Sequence, residues 1–207
     1  MRTLLVLSLF ACTAPFRSLT VVQQSQAAVR IRVECITLNG EPGQNWNGSG
    51  VVADSMHVVT ARHVIACPHE RLSNLQIYVG ERKLEKVSVL AEDELHDLAV
   101  LKFQKAIPGT PTVHVIQALP GPACAETGWP TRVRRCGRIS EVSDKDVRGL
   151  DVDLELKMPI LPGNSGSGIF DRHGFLIGVV THRHTDRPDD GGLGSSLQRI
   201  ASTLLGN

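Results

Sequence analysis

Aromatic residues are scarce in this chain, with one Tyr, two Trp and five Phe among 207 residues. An excess of charge of either sign is also lacking: 22 Lys and Arg face 21 Asp and Glu, a formal net charge of +1. Without a basic face or an acidic tail the chain lacks the electrostatic footprint of a nucleic-acid partner, and that class is excluded. No apolar run, the short one at the N-terminus included, is long enough to cross a bilayer, so no stable membrane span is expected. No segment recurs at a fixed period, which excludes solenoids and repeat arrays.

What is present begins at the N-terminus. Met1-Arg2-Thr3 leads into the apolar Leu4 to Ala11, a basic tip and a short greasy run of the kind that directs secretion. Ser25-Gln26-Ala27 offers a small-x-small cleavage site before Ala28, so residues 1–27 read as a signal peptide and the protein as exported, periplasmic or secreted. Arg17 and the Gln-rich stretch Gln23 to Gln26 argue against a buried N-terminal helix. A minor alternative is a lipid anchor on Cys12, since Leu9-Phe10-Ala11-Cys12 resembles a lipoprotein cleavage box. Of five cysteines, Cys12 would leave with the leader, and Cys35, Cys67, Cys124 and Cys136 remain. An even number in an exported chain points to disulfides, with three pairings open; in a reducing compartment the same four would be buried thiols. About 180 residues remain after cleavage, enough for one ordinary domain or two small barrels.

Strand signals dominate those residues. Val29-Arg30-Ile31-Arg32-Val33-Glu34 alternates apolar and charged without a break, and Leu150 to Met158 does so over nine residues. Further strands are expected at 50–53, 57–61, 75–79, 87–90, 98–103, 133–140 and 175–181. Gly, Pro and Asn clusters at 39–50, 107–111 and 119–122 read as the separators. One helix is expected at the end, where Leu197, Ile200, Leu204 and Leu205 share a face behind a Ser195 or Ser196 cap. The pattern is all-β, and by itself allows a sandwich or barrels.

The chemistry concentrates in Leu161-Pro162-Gly163-Asn164-Ser165-Gly166-Ser167-Gly168. A serine hydroxyl attacks only when a base takes its proton and donors await the oxyanion it creates. Flanking glycines let the backbone bend and aim its N–H groups at one point. Upstream, Val58-Val59-Thr60-Ala61-Arg62-His63 delivers a histidine from an apolar strand into a short turn, and His96-Asp97-Leu98-Ala99-Val100-Leu101 sets an aspartate at the head of another. Base, orienter and nucleophile thus follow in the order His63, Asp97, Ser165, separated by 34 and 68 residues. An α/β-hydrolase is rejected, because its elbow needs Gly where Ser167 stands and its triad runs serine, acid, histidine. His57 lies mid-strand and His96 points to the opposite side. Glu92, Asp93 and Glu94 read as a solvated loop, whereas Asp97 leads into a buried strand.

Thr-Ala-x-His, Asp-Leu-Ala-Val and Gly-Asn-Ser-Gly together resemble the trypsin/chymotrypsin-like serine peptidases. Pro-Gly-Asn-Ser-Gly and Asp-Leu-Ala-Val-Leu are most similar to the bacterial HtrA-type and glutamyl-endopeptidase branches, and a catalytic domain without a PDZ domain is expected. The resemblance implies two six-stranded antiparallel β-barrels with a C-terminal helix: barrel one at about 28–107, barrel two at about 112–196, the helix at about 196–205. It implies a serine endopeptidase acting on protein or peptide substrates through an acyl-enzyme on Ser165, with no cofactor. The alternative is a catalytically silent binding or regulatory protein of the same fold, which a lost triad member would signal; none is lost. His63 would be the general base, Asp97 its orienter, and the N–H groups of Gly163 and Ser165 the oxyanion hole, with Asn164 shaping the turn. Each disulfide then stays in one half, Cys35–Cys67 bracing the histidine turn and Cys124–Cys136 in the second barrel.

Substrate backbone would pair along Thr181, His182 and Arg183, with Pro159 and Ile160 as the floor of the primary pocket. That floor has no carboxylate, which disfavours a Lys/Arg preference. His182, Arg183 and His184 could draw an acidic side chain, or could form a solvated turn balanced by Asp186, Asp189 and Asp190, leaving an apolar pocket for small aliphatic residues. His173, His182 and His184 are metal-ligand types, but no carboxylate or cysteine stands at a matching spacing, so no metal is expected.

Overall fold

A computed structural model of the chain describes residues 18–84, 86–109, 111, 113–130, 132–147, 150–183 and 191–197, with the backbone alone at 141–147 and 150–152. The first half holds β1 (Ala28–Ile36), β2 (Pro42–Val52), β3 (His57–Ala61), β4 (Arg71–Val79), β5 (Arg82–Leu84), β6 (Val87–Asp93) and β7 (Leu98–Phe103). They form one antiparallel sheet in the order β5-β4-β1-β2-β3-β7-β6. The second half holds β8 (Gly121–Glu126), β9 (Arg134–Val147), β10 (Leu150–Lys157), β11 (Gly168–Asp171), β12 (Leu176–Arg183) and β13 (Gly192–Ser196), closed into a six-stranded barrel. The all-β, two-unit expectation holds, with one difference: the first unit is a curled seven-stranded sheet, the added member being the three-residue edge strand β5.

The alternation in β1 buries Val29, Ile31 and Val33 and turns Arg30 and Arg32 outward. Full burial of each such side chain contributes about 1.5–3 kcal/mol. The β11–β12 hairpin is apolar on both faces. Ile169, Ile177 and Val180 pack inside the barrel, while Phe170, Leu176 and Val179 join the core of the first sheet. A strand buried on both sides reads as a continuous apolar run, which is why Phe175 to Val180 shows no alternation.

The stretch 39–50, expected as a separator, is largely strand β2. Its glycines answer to crowding rather than to turns: a Cβ on Gly48 would lie 2.6 Å from Val64 Cγ1, and one on Gly50 2.9 Å from Val58 Cγ1. Helix α1 (Val21–Ala27) precedes β1, capped by Thr20, whose hydroxyl accepts from the Gln23 N–H while Gln23 Oε1 accepts from the Thr20 N–H. Leu19, Gln24 and Ala27 are buried. Gln24 donates to the Leu19 carbonyl at 2.8 Å and accepts from Arg134 Nη1 at 2.7 Å, and the Leu19 N–H reaches the Gly174 carbonyl. The leader boundary expected at Ala27–Ala28 falls inside this packing, so the folded body extends back to Ser18. The polar Gln24 is tolerated there because both ends of its amide are satisfied.

Ser195 and Ser196, expected as a helix cap, end strand β13, and the rest of the expected helix, from residue 198, lies outside the described residues. Both disulfides are formed, Cys35–Cys67 and Cys124–Cys136, the second between directly opposed residues of β8 and β9. Among the described residues no helix is long and apolar enough to cross a membrane.

Candidate functional site

Strand β3 runs into the one-turn helix α2 (Arg62–Ile65). The turn is held at both ends. The Arg62 N–H donates to the Asp97 carbonyl, and Trp46 Nε1 donates to the Val64 carbonyl at 2.8 Å. Two residues beyond the helix, Cys67 is bonded to Cys35 of β1. This frame fixes the backbone on which His63 stands.

Asp97 adopts φ +53°, a left-handed conformation that Asp tolerates better than most residues. Its buried carboxylate grips His63 twice: Oδ1 accepts from the His63 N–H at 2.8 Å, and Oδ2 lies 2.6 Å from His63 Nδ1. A carboxylate offers only acceptors, so Nδ1 carries the proton and Nε2 presents its lone pair. The His63 side chain remains 42% exposed. The rival acids are engaged elsewhere. Asp93 pairs with His96 at 2.7 Å, and Glu92 and Glu94 lie 3.8 and 3.5 Å from Arg62. His57 pairs with Asp54.

The serine turn joins the two halves of the molecule. The Asn164 N–H donates to the Leu161 carbonyl, Pro162 takes the second position and Gly163 the third at φ +89°, the pattern of a type II turn. Buried Asn164 closes it again, its Oδ1 accepting from the Leu161 N–H at 2.8 Å. Gly166 follows at φ +83°, and a Cβ there would lie 2.0 Å from the Ser49 carbonyl oxygen and 2.3 Å from Thr60 Oγ1. Only glycine lets the turn press this deeply against β2 and β3. The Ser165 hydroxyl donates to the Thr181 carbonyl at 3.4 Å. Among the described residues neither the Gly163 nor the Ser165 N–H has a protein acceptor.

Ser49 drew no attention in the sequence, lying in a Gly-rich stretch that reads as loop. It is fully buried, and its hydroxyl donates to the Gly163 carbonyl at 2.7 Å while accepting from the N–H groups of Gly128 and Trp129. Its own N–H donates to the Ser165 carbonyl at 2.8 Å, and its carbonyl accepts from Thr60 Oγ1 at 2.7 Å. The only sequence signal was a small polar residue between two strand glycines, Gly48-Ser49-Gly50.

The expected pocket residues divide. Thr181 is buried and supplies the carbonyl behind Ser165; Ile160 is buried in the second core against Gly192; Pro159 and Arg183 are exposed. His182 stands beside His63. Its ring centroid is 5.3 Å from that of His63, and its Nδ1 is 3.8 Å from Asp97 Oδ2. His173 lies in the β11–β12 turn next to Arg172, while His184, Asp186, Asp189 and Asp190 lie outside the described residues. Among the described residues, which leave out His184, the metal-ligand types that converge are His63, Asp97 and His182, each with a ligand atom within 4.8 Å of the others.

Burial pushes the Glu126 carboxyl up from its usual value, against the opposing pull of Arg134 Nη1 at 2.6 Å.

A family model described as a trypsin-like peptidase domain matches residues 48–179. A putative serine protease, HhoB, of Synechocystis is 28% identical over 188 residues, covering 81% of this chain and 42% of its own. An uncharacterised protein of Sinorhizobium fredii is also 28% identical, over 132 residues, covering 61% of this chain and 20% of its own. The chain thus spans less than half the length of these curated relatives. Among solved structures, the active form of the Rv3671c protease from M. tuberculosis superposes with a TM-score of 0.70 at 22% identity, over 89% of this chain and 82% of its own. An HtrA-type protease, AlgW, with a decapeptide superposes at 0.73 with 16% identity, over 90% and 64%. At those identities the two structures are similar in fold.

Proposed function

Because this chain belongs to the trypsin-like peptidase domain family, we propose that it is an exported serine endopeptidase that cleaves peptide bonds through an acyl-enzyme on Ser165. The observation that carries the reading is the double grip of Asp97 on His63, at 2.8 and 2.6 Å, in a molecule that also bends Ser165 into a glycine-flanked turn. In this mechanism the Ser165 hydroxyl attacks the substrate carbonyl and His63 Nε2 takes its proton. Asp97 keeps the imidazole in the Nδ1–H tautomer and stabilises the imidazolium. The N–H groups of Gly163 and Ser165, on either side of Asn164, receive the oxyanion. His63 then protonates the leaving amine, and a water activated by the same imidazole releases the acyl group.

Substrate backbone pairs along Thr181 to Arg183, with Pro159 and Ile160 bordering the primary pocket. The ring of His182 is turned toward Asp97, which favours an apolar pocket and small aliphatic side chains over an acidic preference centred on that histidine. Export is supported by the basic-tipped apolar N-terminus and by two disulfides.

The test is labelling with a serine-directed fluorophosphonate. Label on the intact protein, absent from Ser165→Ala, is the expected result. Equal labelling of both would remove Ser165 as nucleophile.

A further inference from the structure

We infer that His63, Asp97 and His182 form a site for a borderline transition-metal dication such as zinc, and that occupation of this site switches the protein off. The inhibition rests on the role proposed above for His63; the binding does not.

Two imidazole nitrogens and one carboxylate oxygen are a donor set that zinc favours, with a fourth position left for water, and one that magnesium and calcium, which prefer all-oxygen shells, do not. Among the described residues this is the one place where three such groups converge. The other paired histidines, His57 with Asp54 and His96 with Asp93, are contacts between near neighbours in sequence. With metal–ligand bonds of about 2.0–2.2 Å, tetrahedral geometry sets neighbouring donor atoms roughly 3.3 Å apart. Here Asp97 Oδ2 lies 2.6 Å from His63 Nδ1 and 3.8 Å from His182 Nδ1. The first spacing must open by about 0.7 Å and the second close by about 0.5 Å, which small turns of two partly exposed rings can supply.

The surroundings suit an ion as well. Asp97 is buried and contributes a negative charge, the His182 Nδ1 atom is buried beside it, and the side chains of His63 and His182 as a whole are 42% and 25% exposed. The nearby cation Arg62 is directed toward Glu92 and Glu94.

Binding at His63 Nδ1 has a defined chemical consequence. The proton that Nδ1 donates to Asp97 must leave that nitrogen, and in the neutral ring it moves to Nε2. The atom that would accept the Ser165 proton is then already protonated, and the base is lost. His182 supplies the third ligand, without which the ion would hold only the two groups of an ordinary His–Asp pair.

The test uses full-length Ser165→Ala, so that binding is read without turnover. Zinc is titrated by calorimetry and cobalt by its visible spectrum, with magnesium and calcium for comparison. Expected are one zinc per chain, tetrahedral cobalt bands, no magnesium or calcium binding, and affinity weakened by at least about tenfold when His182→Gln is added. Circular dichroism and thermal melting establish that the double variant is folded. Binding unchanged by His182→Gln, or no cobalt spectrum at millimolar metal, overturns the proposal. Zinc binding by a protein that fluorophosphonate fails to label would leave the metal site standing and remove the peptidase reading. Fluorophosphonate labelling without zinc binding would do the reverse.

Discussion

The Ser49 hydroxyl donates to the Gly163 carbonyl at 2.7 Å, so a residue of the first sheet sets the orientation of a peptide plane in the serine turn. Through its own N–H, Ser49 also holds the Ser165 carbonyl at 2.8 Å. One buried side chain and its amide thus grip the turn on both sides of Asn164, at the two residues whose N–H groups are proposed to bind the oxyanion. Ser49→Ala keeps the backbone bond and deletes the hydroxyl, leaving the Gly163 carbonyl and the Gly128 and Trp129 N–H groups short of a partner. Expected are a loss of about 1–3 kcal/mol in stability and a fall in kcat on the order of tenfold to a hundredfold with a smaller change in KM. Steady-state kinetics with a peptide substrate, beside urea unfolding, checks both. A drop in stability with kcat unchanged would reduce Ser49 to a bracket between the two halves.

Groups that act as a unit are not additive. Ser165→Ala and His63→Ala should each cost about as much activity as the two changes together. Peptidase assays of the three variants measure it, and retention of most activity by Ser165→Ala would end the mechanism.

Gly166 and Gly40 share a positive φ, +83° and +87°, but Gly40 has open space where a Cβ would go and Gly166 has the Ser49 carbonyl at 2.0 Å. Gly40→Ala should cost about 1–2 kcal/mol, the left-handed penalty alone. Gly166→Ala should cost clearly more and suppress fluorophosphonate labelling, because the serine turn must retreat from β2. Denaturant unfolding of the pair decides, and equal costs would contradict the close approach.

A chain beginning at Ser18 should melt higher than one beginning at Ala28, because the shorter form loses Leu19 and the Gln24 contacts to Leu19 and Arg134. Gln24→Ala in the longer form should cost about 1–3 kcal/mol, since it strands buried partners. On the proposed export, mass spectrometry of the mature protein is expected to find its first residue at or before Ser18; a mature protein beginning at Ala28 with undiminished stability would refute this.

Glu126 sets a pH trend. Its carboxyl is raised in the folded protein, burial outweighing the attraction of Arg134. Between the unfolded and folded values the native state therefore binds more protons than the unfolded chain, and stability falls as pH rises. The contribution is fully present below the unfolded value of 4.5 and is lost as pH passes through the raised one. Unfolding of the wild type and Glu126→Gln from pH 4 upward should show the difference moving in favour of the variant. An opposite slope would mean that Arg134 dominates.

Much of the fold was legible because half-buried strands write their own alternation, as in β1, and because a turn that must approach another strand needs glycine, as at Gly166. His63 and Asp97 were singled out by their local settings, and the structure joins them across a separation of 34 positions in hydrogen-bond contact. Strand β2 was hidden, since Gly48 and Gly50 look like turn residues until Val64 and Val58 are seen pressing on them. Helix α1 was hidden for a related reason: a polar Gln24 signals solvent unless its partners, Leu19 and the distant Arg134, are known.

What the sequence determined by itself was local: strand periodicity, the glycine-bent turn at Ser165, and the residue types able to serve as base, orienter and nucleophile. Tertiary structure decided which side chains meet: His63 with Asp97 and His182, and Ser49 with the serine turn. In β12 the register against β13 slips between Val180 and His182, and His182 lies against His63 and Asp97 rather than following a simple in-and-out alternation. Ser49 reaches Gly163 only because β2 and the serine turn, 114 residues apart, are packed together. A hydrogen bond of about 3 Å depends on positions in space, and sequence spacing carries that information only while the chain between two residues is short and regular.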